Sequence, residues 1–409
     1  MKSLTRKFIL YLFLSLVMSV YIKNSGGGGG RLPQNYITLI LISSAIVSLT
    51  LCLKKHISLS PVSVVLVVIG FLLTFSFCFS ESYLVLRNYI HLIVFWVGVA
   101  YFIILSQFVS NEKVTLDIVM YFVFFAFIQT CFSIISLYYR NVCPPFFCYP
   151  VFEGRTGGVF QQVNVMASFV ATAISFCSYF YFHVLSKATH HFIILTVTAF
   201  FSCFLFSLQS RTGYIAMFFV VLYSLYMITK QRKKALIFII IISSAFFLWF
   251  FSFNNEIVNH DNSTNSRISI IKDTLSLISL NPFKGYGYGS FESVFQSYRL
   301  YKSISTIGSG VITHPHNEVL FLWFQAGALG LLSSCMIIIL LAYMFLISYR
   351  SHSDKKNFVN NHLGWGVTTI PILIHTQTEF PFYISIFHFF LLLTILSIWS
   401  NMIFSQRTQ

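Results

Sequence analysis

The sequence predicts an all-α, polytopic integral membrane protein of about twelve transmembrane helices, with a single large segment outside the membrane. Three observations predict it. First, 56% of the 409 residues are hydrophobic and only 9% are charged, against about 25% charged in a soluble domain, and the mean hydropathy is +0.78. Such a composition cannot cover a water-facing surface. Second, apolar runs of bilayer length recur along the whole chain. Third, the basic residues fall in alternate gaps between those runs.

Lys2, Arg6 and Lys7 precede the apolar run 8–22, which reads as an uncleaved signal anchor, with a cleaved signal peptide as the alternative. The five glycines Gly26–Gly30 read as a flexible connector, because no helix start with Lys-Ser/Thr follows them. Further spans lie at roughly 37–53, 61–80, 89–109, 118–138, 159–185, 192–208, 214–228, 235–253, 328–349, 363–376 and 382–404. The shorter ones are expected to be tilted, kinked or partly re-entrant.

Lys54, Lys55, Lys187, Lys230, Arg232, Lys233, Lys234, Arg350, Lys355, Lys356 and Arg407 share their side with the N-terminus, which the positive-inside rule makes cytoplasmic. The opposite face then receives 23–36, 81–88, 139–158, 209–213, the long segment 254–317 and 377–381. The organisation is a membrane bundle over 1–253 with about nine helices, an outer loop over 254–317 and C-terminal membrane helices over 318–409. Both termini are expected inside. The net charge of +15 is absorbed by these topology-setting loops, so no nucleic-acid partner is expected.

Chemistry-bearing residues gather in the outer gaps. Thr313-His314-Pro315-His316-Asn317-Glu318 places two histidines, an amide and a carboxylate at the entry of an apolar run that continues through Gly327 and Gly330. Polar groups at a membrane interface are costly and usually serve a purpose. His316 is suited to act as a base near neutral pH; a structural histidine is the alternative. His314 has no third ligand at a metal-type spacing. Arg211, in Ser210-Arg211-Thr212-Gly213, is confined to a very short gap and suits an anion clamp or an interface marker. Arg267 opens a stretch in which Ile268, Ile271, Leu275 and Ile278 recur at helical spacing, ended by Asn281-Pro282. An arginine near a helix start opposes the dipole unless an anion is close, with a solvated surface charge as the alternative.

The glycine-rich Gly285-Tyr286-Gly287-Tyr288-Gly289 is either a tight turn with two stacked tyrosines or a loop whose backbone approaches a sugar or pyrophosphate. Gln161, Gln162 and Asn164 are amides at the outer end of a helix, able to bond neighbouring helices or sugar hydroxyls. Glu379 stands in a short outer gap and can orient His316, bind an acceptor or pair with Arg211. Cys143 and Cys148 flank Pro144-Pro145 on the oxidising side, with a local disulfide or two thiols as the alternatives.

Taken together, Arg211, Arg267 and the His316-Asn317 pair followed by Gly327 and Gly330 resemble the signature of the bacterial O-antigen ligase superfamily, over roughly 154–404. Three further stretches resemble its protein O-oligosaccharyltransferase branch, which glycosylates pilins and other exported proteins. They are Gly157–Ser168 with Gln161, Gln162 and Asn164, the Gly285–Glu292 loop with Tyr286 and Tyr288, and His375–Tyr383 with Glu379. Many members of that branch carry an additional C-terminal soluble region, whereas this chain stops soon after its last helix.

The resemblance implies a GT-C-like enzyme of the bacterial inner membrane with its site on the periplasmic face. The donor would be a glycan on undecaprenyl pyrophosphate in the outer leaflet. The acceptor hydroxyl would lie on an exported protein such as pilin or on lipid A-core. Transfer would invert the sugar and need no metal or cofactor. Arg211, Arg267 and His316 would be catalytic; Gln161, Gln162, Asn164, Tyr286, Tyr288, His314, Asn317, Glu318 and Glu379 would bind substrate. The alternatives are an O-antigen polymerase and, from another class, a solute transporter.

Overall fold

A computed structural model describes residues 2–19, 32–53, 57–78, 85–109, 112–139, 141, 148–152, 154–160, 162–252, 261–302, 311–350 and 361–404. The Gly26–Gly30 connector, Lys54, Lys55, Cys143, Gln161, Lys355, Lys356 and Arg407 lie outside the described residues, and with Cys143 so does the disulfide considered above.

Apart from connecting turns and loops, the described chain is helical except for a short antiparallel ribbon of two two-residue strands, Val151–Phe152 with Arg155–Thr156. The chain up to Ser252 contributes α1 (Lys2–Ser19), α2 (Pro33–Leu51), α3 (Pro61–Phe77), α4 (Val85–Ser106), α5 (Glu112–Tyr138), α6 (Val163–Tyr179), α7 (Ala188–Ser207) and α8 (Arg211–Ser252). Then follow α9 (Asp261–Leu280), α10 (Phe291–Tyr301), α11 (Glu318–Arg350), α12 (His362–Val367), α13 (Ile370–Thr378), α14 (Pro381–Ile384) and α15 (Ile386–Phe404). Seven of these helices are long and apolar enough to cross a membrane, and two shorter apolar ones, in α3 and α4, accompany them. The all-α polytopic membrane class therefore holds.

Local chemistry starts and breaks these helices. Pro61 occupies the first turn of α3, where its missing N–H costs nothing, and Ser60 caps that turn by accepting from the Ser63 N–H at 3.1 Å. The 42 residues of α8 would reach about 63 Å as one rod, twice a bilayer core. The helix breaks instead at Gln231, whose φ/ψ of −141/60 is not helical, inside the basic run 230–234. That break separates the two spans expected over 214–228 and 235–253. The span expected over 363–376 is likewise interrupted, as α12 and α13 with a turn at Thr368–Thr369.

The centre of the bundle is α6, buried from Val165 onward. Its alanines, serines and threonines present little bulk, so neighbouring helices approach closely. Its hydroxyls are satisfied along the helix, with Ser168, Thr172, Ser175 and Ser178 each donating to a carbonyl three or four residues back. Around this core α5, α7, α8 and α13 pack on α6, while α15 packs on α2, α4 and α12 and α11 on α3. Outward-facing Phe71, Phe124, Phe192 and Phe251 stay exposed, a surface suited to lipid.

Polar contacts collect at two ends. At the basic end, the π turn Phe180–Val184 places His183 against Tyr223 (2.5 Å) and Asn361 (2.9 Å), with Gln231 donating to the Phe182 carbonyl. At the other end, described residues from several of the gaps expected on the opposite face meet: Asn35 with Ile384, Gln162 and Asn164 with Glu379, Arg211 with Thr264, and Thr212 with Thr378.

The amphipathic face of α9 differs from the one read from sequence. Ile270, Thr274, Leu277 and Ile278 are buried, whereas Ile268 and Leu275 stay exposed. Polar residues take part in the buried face because they are satisfied there: Thr274 donates to the Ile270 carbonyl, and Asp273 pairs with the buried Arg299 of α10 at 3.0 Å. The helix also begins at Asp261, so Arg267 sits in its second turn and the dipole argument for an anion at its start lapses.

Candidate active site

The site is built from the ends of five elements. Close packing sets the first two side by side: a Cβ on Gly213 would lie 2.9 Å from Leu205 and 3.0 Å from Ala167. Glycine therefore lets the start of α8 meet α6 and α7. This contact brings Ser210 to Asn164, whose side-chain oxygen accepts from the Ser210 hydroxyl at 2.6 Å. Asn164 stands in the first turn of α6, and Gln162 is the residue just before that helix.

Both amides converge on Glu379, at the end of α13. Gln162 donates to one carboxylate oxygen; Asn164 donates to the other at 2.6 Å. Arg267, on α9, pairs with the oxygen that Asn164 also uses. The Glu379 N–H closes on the His375 carbonyl at 2.9 Å, and His375 Nε2 lies 4.0 Å from the carboxylate. Ser168 holds the other ring nitrogen of His375 at 2.8 Å. Glu379 is only 1% exposed. Burial alone would raise its pKa. His375, Arg267 and His316 outweigh that effect and bring it down to about 2, so the carboxylate is ionised.

Arg211 donates to Thr264 of α9, and Thr212 shares a hydrogen bond with Thr378 at 3.0 Å. The two arginines thus both meet α9: one reaches up from α8, and the other reaches down from α9 to α13. Glu379 pairs with Arg267 and not with Arg211, one of the three roles considered for it.

His316 has a left-handed backbone, φ 57, a conformation that costs a non-glycine residue about 1–3 kcal/mol and concentrates at functional sites. Its ring packs 5.3 Å from Phe380, and its buried Nδ1 has no hydrogen-bond partner among the described residues. Burial lowers its pKa below the ordinary histidine value; Glu379 opposes the shift and Arg267 reinforces it. His316 is therefore a neutral imidazole at pH 7, within the field of both charged residues. Gln209, beside Ser210, carries the other non-glycine positive φ among the described residues, 47°.

The neighbours of His316 take supporting positions. His314 is boxed by aromatic rings, with centroids at 4.0 Å (Tyr383), 4.2 Å (Phe380) and 4.6 Å (Phe321), and its Nδ1 bonds the Thr313 hydroxyl. Asn317 caps α11 by accepting from the Leu320 N–H at 3.0 Å, and its amide donates to Gln377. Glu318 begins α11.

The glycine-aromatic loop docks on a break in α11. Gly327 has φ 59; Gly285, Gly287 and Gly289 are also left-handed. The loop then pairs as if in a ladder: Tyr286 N–H to Phe324 O at 2.8 Å, Gly287 N–H to Gln325 O at 3.0 Å and Ala328 N–H to Phe283 O at 3.0 Å. A Cβ on Gly327 would meet the Phe283 oxygen at 2.1 Å. Tyr286 stacks on Phe324 and donates to the Leu277 carbonyl, and the buried Tyr288 donates to the Leu73 carbonyl. The tyrosines pack on other rings instead of on each other, and neither bonds the Glu379 cluster.

Sequence reasoning missed Ser168, Ser210, Thr264, Phe380 and the side-chain role of His375. Two signals were present: Ser210 adjoins Arg211, and His375 lies one helical turn before Glu379.

Fold and site together define an all-α membrane protein with a cationic, amide-lined cluster at one end of its bundle. Residues 194–335, which contain both arginines and His316, match the family described as O-antigen ligase. The chain is also similar to the O-antigen ligase of Salmonella typhimurium (strain LT2), 41% identical over 63 residues, covering 14% of this chain and 14% of that protein. Both matches support the O-antigen ligase superfamily.

Proposed function

We propose that the protein is an inverting, metal-independent glycosyltransferase of the bacterial inner membrane. It moves an oligosaccharide from undecaprenyl pyrophosphate to an acceptor hydroxyl on the periplasmic face, as a protein Ser/Thr O-oligosaccharyltransferase or an O-antigen ligase. The observation that carries this reading is the convergence of Arg211, Arg267 and a neutral His316 at one end of the bundle.

The chemistry follows from those groups. The two guanidiniums hold the pyrophosphate, whose oxygens suit their forked donors. The acceptor oxygen attacks the anomeric carbon as the bond from that carbon to the pyrophosphate oxygen breaks. His316 takes the acceptor proton, and the leaving electron pair stays on the pyrophosphate, stabilised by the arginines. Attack opposite the leaving group inverts the centre.

The test is transfer from a defined lipid-linked oligosaccharide in reconstituted vesicles, offered pilin-like protein, lipid A-core and further donor side by side. Label on protein identifies an oligosaccharyltransferase, and label on lipid A-core identifies a ligase. A ladder of donor identifies a polymerase instead. No label on any of the three, with folded protein, overturns the enzyme reading and favours a transporter.

A further inference from the structure

A guanidinium can hold an anion at a defined place only if it is itself held. Arg267 stands on α9, outside the longest apolar helices, at the end of a flexible side chain. Its partner Glu379 comes from the opposite wall. That carboxylate is fixed on every side: Gln162 and Asn164 donate to it, Ser210 holds Asn164, and the Glu379 N–H is tied to His375. Ser168 in turn anchors the His375 ring.

The exposures of the two partners differ in a telling way. The Glu379 side chain is 1% exposed, so it offers no surface to a substrate, whereas that of Arg267 is 28% exposed. A guanidinium has five N–H donors, and Glu379 takes one of them, on Nη2. The remainder can face an incoming anion while the carboxylate keeps the group in place.

We infer that Glu379 is a positioning residue: it holds Arg267 from α13, across the gap to α9, and touches neither donor nor acceptor itself. The inference rests on the anion-holding role proposed for Arg267, and it replaces the substrate-binding role expected for Glu379 from the sequence. Gln162 and Asn164 then act one step further back, as the amides that hold the carboxylate.

The test is a double-mutant cycle on binding, with undecaprenyl pyrophosphate as the probe and the full chain in nanodiscs. E379Q and R267A alone each weaken binding about tenfold, the scale of one charge-assisted hydrogen bond. Because Glu379 acts through Arg267, E379Q/R267A binds no more weakly than R267A, and E379D recovers part of the loss. In transfer assays E379Q raises the donor KM and leaves the acceptor KM unchanged. Effects that multiply in the double variant, or an E379Q that binds as the parent does while R267A is weakened, overturn the inference. An R267A that binds normally overturns the anion-holding role and the inference with it. If E379Q fails to fold, E379D and E379D/R267A complete the same cycle, with the same outcomes.

Discussion

At the scale of single residues, the site is a set of groups whose charge states are fixed by their neighbours. His316 is neutral because burial disfavours the imidazolium. A base works in its neutral form, so a lowered pKa extends activity toward acid. We expect the acid limb of kcat/KM to lie below pH 6.5, the ordinary histidine value; an acid limb at or above that value would contradict the role. H316A should abolish transfer with the protein still in the membrane. H316N is the sharper variant, because asparagine tolerates the left-handed backbone and removes only the base; wild-type transfer by H316N would end the assignment. The pKa of Glu379 moves in the same direction as that of His316, but here charged and hydrogen-bonding neighbours outweigh burial. Its folded pKa is lowered from 4.5 to about 2, so its contribution to stability is present above pH 4.5 and is lost as the pH falls toward 2.

At the scale of elements, the α9–α10 segment is held on the bundle by main-chain bonding as well as by the arginines. The 285–289 loop enters the break in α11 through three backbone hydrogen bonds around Gly327. G327A places a methyl group against the Phe283 carbonyl, which stands 2.1 Å from the ideal Cβ, at a φ of 59. With ψ at −143, this backbone lies in a region open essentially to glycine, which costs another residue about 1–3 kcal/mol, and the overlap forces the loop away. G327A should therefore lower the melting temperature in detergent and reduce transfer, whereas S279A, on the exposed side of α9, should change neither. Equal melting of G327A and the parent would show that the loop is not docked this way.

At the scale of the whole molecule, the two polar ends should face different compartments. Cysteines introduced at Tyr301 on α10 and at Lys233 beside the α8 break, both exposed positions, provide the check in a background lacking the native cysteines. A membrane-impermeant maleimide added to intact spheroplasts should label Y301C at once and K233C only after permeabilisation. The reverse pattern would invert the orientation and place the site on the cytoplasmic side.

Much of this architecture is legible in the sequence because the bilayer is a severe constraint. Residues that cross it must be apolar over a set length, and basic residues mark one side. Composition and spacing therefore determine the class, the approximate spans and the grouping of Arg211, Arg267, His316 and Glu379 in neighbouring gaps. The partners of those residues are another matter. Arg267 and Glu379 are separated by 112 positions, and no local pattern states which arginine the carboxylate takes. The buried face of α9 escaped because Asp273 and Thr274 look solvent-facing until Arg299 and the Ile270 carbonyl satisfy them. The glycine loop was ambiguous for a similar reason: its left-handed residues make sense only against the break at Gly327, some forty positions on. Local sequence determines what can enter the membrane, whereas long-range packing alone decides which polar groups meet, because a buried polar group is stable only beside a partner that the fold supplies.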